Sequence, residues 1–215
     1  MNNFFQRFIS VIILHKNNCL LFLSVLFSFP SGIAQNKFSA LSAPEKKWVV
    51  LHPLCAKKIN RITKKTFLTI QEVKKSNELD QYENGGKLDA FRHIYTMAVL
   101  AQKISVKKLR RLGIAHEKGN AIDFKKNKLE QGELPDSVSS EMDLRNNEIG
   151  FELGRKHQKA NSMELEKIII REIKGGNAWI ILRNEHGAYL NCEKQEIDGK
   201  QWEGKWNVPK CLVRS

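Results

Sequence analysis

Residues 88–104 read LDAFRHIYTMAVLAQKI, and their pattern decides the fold class. The middle, Ile94 to Ala101, is apolar nearly all round, which predicts a helix at the centre of a helical protein. Asn84-Gly85-Gly86 breaks the chain before it. After it, Ser105 predicts an N-cap for a second helix ending near Gly119, with Val106, Leu109, Leu112 and Gly113 inside. Upstream, Pro53 to Lys75 carries Cys55, Ile59, Ile62, Phe67, Ile70 and Val73 at helical spacing, and Glu45 to Leu51 predicts a short helix stopping before Pro53. Downstream, Ser137 to His157 has the stripe Val138, Met142, Ile149 and Leu153. There Gly150 and Gly154, one turn apart, allow a neighbouring backbone to come close. Ser162 caps a last helix through Lys174, with Glu164 and Glu166 in its positive first turn. Residues 119–136 predict a long surface loop.

The tail reads differently. Trp179 to Leu182 and Ala188 to Cys192 flank Asn184-Glu185-His186-Gly187, a β-hairpin pattern, and Trp202, Trp206 and Val208 imply a further strand or an ordered wrap. The expectation is therefore a mainly α protein. A bundle of about five helices spans residues 35–176, and a small β-hairpin appendage over 177–215 packs on it.

Residues 1–34 are read as a signal peptide rather than fold. Arg7 and Lys16 precede an apolar run from Cys19 to Phe29, and small residues follow, with a cut expected near Ala34. The run is shorter than the roughly 20 residues needed to span a bilayer, so retention as an anchor is the lesser alternative. Periplasmic or extracellular export is the expectation, and it makes a disulfide permissible. Cys192 and Cys211, close together in the tail, are the expected pair. Cys55 is expected as a small buried apolar residue.

The 215 residues are 41% apolar and 27% charged, which excludes collagen-like and fully disordered classes. The net charge is +13, from 36 basic and 23 acidic residues. Such a surplus attracts anionic partners, either an acidic partner or an envelope surface. The lysines show no aromatic interleaving and no nucleic-acid motif, and read first as solvated helix faces.

The polar residues that carry chemistry are Asp89, Arg92 and His93; His116 and Glu117; and Asp143, Asn146 and Asn147. The two helices joined at Ser105 are expected to pack antiparallel. His93 and His116 each lie eleven residues from that corner, roughly 16 Å along the axis, and so at one height. Asp89 is one turn from His93, and Asp143 and Asn147 share a face. Polar groups gathered at one end of a bundle are costly unless they bond each other or a ligand.

These stretches resemble an uncharacterised bacterial domain family with the pattern DAxRH, then AHE, then MDxxNNxxG. The likeness covers about residues 80–160. It implies an exported context, found in secreted proteins and at the ends of toxin-like proteins, and a polar site without an assigned reaction.

Three readings stay open. In the first, His93, His116, Asp89 and Asp143 bind a divalent metal such as zinc, manganese or iron, with Glu117 as general base for a metal-bound water. In the second, Asp89 orients His93 as a metal-free base, His116 is the acid, and Arg92 and Asn147 stabilise an oxyanion. Both describe a hydrolase of unknown substrate. In the third, the protein is a non-catalytic secreted binding domain and the same residues are a buried hydrogen-bond network. Ser140-Glu141-Met142-Asp143 would then be a capping box with Asp143 purely structural.

Overall fold

A computed structural model describes residues 38–127, 129 and 133–215. The proposed signal peptide at 1–34 lies outside the described residues. Among the described residues, six helices and a two-stranded antiparallel sheet give a mainly α fold. They are α1 (Ala43–Leu51), α2 (Pro53–Ser76), α3 (Lys87–Ala101), α4 (Val106–Phe124), α5 (Ser137–Lys156) and α6 (Ser162–Lys174), followed by β1 (Trp179–Ile181) and β2 (Leu212–Arg214).

α3 is the axis of the fold. Twelve of its 15 residues are buried, so every flank needs a partner. Phe91, Ile94 and Tyr95 join one core with α2, α5, α6 and β1, while Met97, Leu100 and Ala101 join a second with α1, α2 and α4. The most extensive contact of α3 is with α5, and that of α4 is with α1. Short connection length therefore did not select the main partner of α3. The glycines of α5 did. A Cβ on Gly150 would lie 2.5 Å from the Ile94 carbonyl oxygen, and one on Gly154 2.2 Å from that of Ala98.

α4 runs to Phe124, beyond the stop expected at Gly119. Gly119 does not break the helix. Its missing side chain admits Ser42 at the start of α1, whose Oγ lies 2.4 Å from where a Cβ would sit. The surface loop is correspondingly shorter. α5 is capped by Asp136, whose carboxylate accepts from the Val138 and Ser139 amides at 2.9 and 3.0 Å. Asp143 is thus a full turn inside the helix, not part of a cap at Ser140.

The turn at Asn184–Gly187 forms as expected: the Asn184 amide donates to the Ala188 carbonyl, and Arg183 bridges Tyr189. The strand ladder, however, joins β1 to β2, with Ile180 opposite Val213. The wrap between them is tied by the Cys192–Cys211 disulfide, which closes a separation of 19 residues and contributes about 3 kcal/mol by chain entropy. Cys55 is half-buried at the edge of the second core.

Candidate metal centre

α3 and α5 each present a pair of polar residues four positions apart, and hence on one face. On α3 the pair is Asp89 and His93; on α5 it is Asp143 and Asn147. The glycine contact presses these faces together. His93 Nε2 lies 3.2 Å from Asp143 Oδ1 and 3.6 Å from Asp89 Oδ1. Its Nδ1 lies 3.3 Å from Asn147 Oδ1. All four residues are buried.

His93 Nε2 has two competing partners. An Arg92 guanidinium N–H stands 3.1 Å from it and the Asp143 carboxylate 3.2 Å from it. A guanidinium only donates and a carboxylate only accepts, so Nε2 serves one or the other according to its tautomer, while Nδ1 faces Asn147. Burial, helped by the charges of Arg92 and His116, holds His93 well below the usual histidine range despite the Asn147 bond. The ring is therefore neutral near pH 7, with Nε2 facing two carboxylate oxygens.

Asp89 is anchored from both sides. Arg92 forms an ion pair with Oδ1, and the Gly85 amide donates to Oδ2 at 2.7 Å. Gly85 adopts φ +70°, a conformation that suits glycine, and its carbonyl accepts from the Ile181 amide at 2.7 Å. Arg183 donates to the Asn84 carbonyl at 2.9 Å. The tail thus braces the loop that holds Asp89. Asp89, Arg92 and Asp143, with Asn84, Gly85 and Ser139, line a cavity of about 20 Å³, room for one ion or one water.

Asp89, His93 and Asp143 each offer a ligand atom, and these atoms lie within 4.8 Å of one another. Two carboxylates and an imidazole form a donor set suited to zinc, manganese or iron. Such a group can bind a metal ion.

The other expected site residues sort differently. His116 shares the site's end of the bundle, and its charge reaches His93, but its Nδ1 pairs with Glu45 of α1 at 3.1 Å. Burial pushes Glu45 up, yet the bond and charge of His116 and two bonds from Ser42 outweigh it and lower the carboxyl. Glu117 accepts from Asn120 at 3.1 Å, and both are buried beside Asp123 on α4. Asn146 serves the tail: its amide donates to the Trp179 carbonyl at 2.9 Å and accepts from the Trp179 amide at 3.0 Å. The sequence reading missed Glu45, Asn120 and Asp123. Ser42-x-x-Glu45 carries a capping-box signature that could have pointed to Glu45. Asn120 and Asp123 were lost with the early stop placed at Gly119.

Residues 46–177 match the family described as "Domain of unknown function (DUF6973)". The match holds all six helices but the first residues of α1, and ends just before β1. No curated protein and no solved structure matches the chain.

Proposed function

This chain belongs to the DUF6973 family of domains of unknown function, and from the geometry of its buried site we propose that it is an exported, metal-dependent hydrolase. The observation that carries this is the convergence of Asp89, His93 and Asp143, three acceptor groups from two helices. Asp89, Asp143 and His93 Nε2 would hold the ion, which would take over from Arg92 as the positive charge shared by Asp89 and His93. Asn147 would fix the imidazole through Nδ1, the part that outer hydrogen bonds play at metal centres. When bound, the metal supplies a water acidic enough to attack at neutral pH. Arg92, which lines the same cavity as Asp89 and Asp143, would meet negative charge developing on the substrate.

The metal-free reading is less well supported. A base needs one imidazole nitrogen turned to substrate, but Nδ1 of His93 faces Asn147 and Nε2 faces the carboxylates. The signal-like start and the disulfide support export.

The test is elemental analysis and calorimetric titration with Zn²⁺ and Mn²⁺ on wild type, His93→Gln and Asp143→Asn, followed by assay against phosphodiester and ester chromogenic substrates. About one ion per chain is expected for wild type, with at least tenfold weaker binding in each variant. Turnover should appear with metal and vanish with chelator. A wild-type protein that takes up neither ion at millimolar concentration overturns the proposal. So does full metal binding by both folded variants.

A further inference from the structure

The end of the bundle opposite the site has an unusual surface. Three corners meet there: α1–α2, α3–α4 and α5–α6. Hydrogen bonds hold them together. Lys58 donates to the Lys103 carbonyl at 2.8 Å, and the Gln102 amide donates to the His157 and Ala160 carbonyls at 2.8 and 3.0 Å. Residues 47–61, 102–111 and 155–161 carry four, five and three basic residues and no acidic one. Residues 71–101, 117–153 and 162–203, by contrast, mix both signs. The α5–α6 corner opens into a groove of about 810 Å³ along Arg155, Lys156, Lys159, Lys167 and Arg171, against a single acid, Glu164.

From the same end an apolar knuckle projects. Val50, Leu51 and Leu54 are 67, 64 and 83% exposed, and Met163, at the start of α6, is 64% exposed. Pro53 fixes this sharp corner between α1 and α2. Large aliphatic side chains held in water at such exposure, ringed by lysine, combine the two attractions that seat a protein on an anionic bilayer. The apolar tips enter the acyl boundary and the lysines meet the headgroups.

We propose that this end docks on an anionic lipid surface. Charge alone would equally suit a nucleic acid, but projecting leucines gain nothing from a phosphate backbone, and the knuckle has no exposed aromatic ring on which a base could stack. No described helix is long and apolar enough to cross a membrane. From Asp143 to Lys156, α5 covers roughly 20 Å. The docked protein therefore holds its Asp89–His93–Asp143 end away from the bilayer, open to water.

The experiment is flotation of the full chain with vesicles of phosphatidylcholine alone or with about 30% phosphatidylglycerol, at about 0.1 and 0.5 M salt. Two folded variants accompany it, Leu51→Asn/Leu54→Asn and Lys57→Glu/Lys107→Glu, whose positions are exposed. The expected result is binding to anionic vesicles, weakened by salt and by the charge pair. It should also be weakened about tenfold for each leucine replaced, with melting temperature unchanged. Equal binding to neutral vesicles, or no loss in the leucine variant, overturns the proposal. So does binding to a single-stranded oligonucleotide that survives the leucine changes while vesicle binding is absent.

Discussion

Replacing Gly154 by alanine sets two effects of opposite sign against each other. In an isolated helix the change stabilises by about 1 kcal/mol, because glycine is the poorer helix former. In this fold the new methyl would lie 2.2 Å from the Ala98 carbonyl oxygen and 2.9 Å from its carbonyl carbon and Cα. Ordinary contact starts at 3.4 Å, so the helices must separate by about 1 Å. The obstacle is backbone in the last turn of α3, not the flexible end of a side chain. Overpacking of this kind costs about 3 kcal/mol at the upper end of its usual range. The net expectation is a loss of about 2 kcal/mol, or roughly 4–8 °C in melting temperature for a domain of this size. The separation also reaches the site, because α3 carries Asp89 and His93 while α5 carries Asp143 and Asn147. Metal affinity should fall at least tenfold, since ligand distances tolerate only about 0.2 Å. Urea unfolding followed by circular dichroism measures the first effect and calorimetric titration the second. Gly199→Ala is the control, as nothing lies within 4 Å of a Cβ there. A Gly154→Ala protein as stable as wild type, or more so, would refute the claim that the glycine contact sets the spacing of α3 and α5.

Asn147→Ala should lower metal affinity about 10- to 100-fold while Asn147→Asp, which keeps an acceptor for His93 Nδ1–H, retains most of it; titration calorimetry distinguishes them. The His93 imidazole is held below its usual range, so below about pH 6.5 the unfolded chain binds a proton that the folded one resists. Metal-free stability should therefore fall by up to about 1.4 kcal/mol per pH unit on acidification, and His93→Gln should flatten that slope in thermal melts. Glu45 is lowered instead, so its contribution is present above pH 4.5 and lost as the pH falls through its folded value; Glu45→Gln should remove an acid-side loss that wild type shows. Asn146→Ala removes both bonds to Trp179 and should cost about 2 kcal/mol by denaturant unfolding without changing metal affinity, because the residue holds β1 and not the ion.

What the sequence made legible follows from what acts locally. The all-round apolar run of α3 forces a central helix whatever its neighbours, and the four-residue spacing of Asp89 and His93, or of Asp143 and Asn147, places each pair on one face by helix geometry alone. What depends on another segment was not legible. Gly119 resembles a helix stop, and only the approach of Ser42 explains it as a contact. His116 looked like the partner of His93 because both lie at one height, yet its bonded carboxylate, Glu45, is 71 positions away on a helix whose docking no local pattern encodes. Gly150 and Gly154 sit between these cases. They announced that some backbone would come close without saying which. Once that backbone is α3, the rest follows: a pair of carbonyl contacts at Ile94 and Ala98 fixes the helix separation, and Asp143, two turns before Gly150 on α5, meets His93, the neighbour of Ile94. The close approach and the acidic site are thus one feature of the fold, and a sequence that kept the polar residues but lost the glycines would keep the motif without the centre.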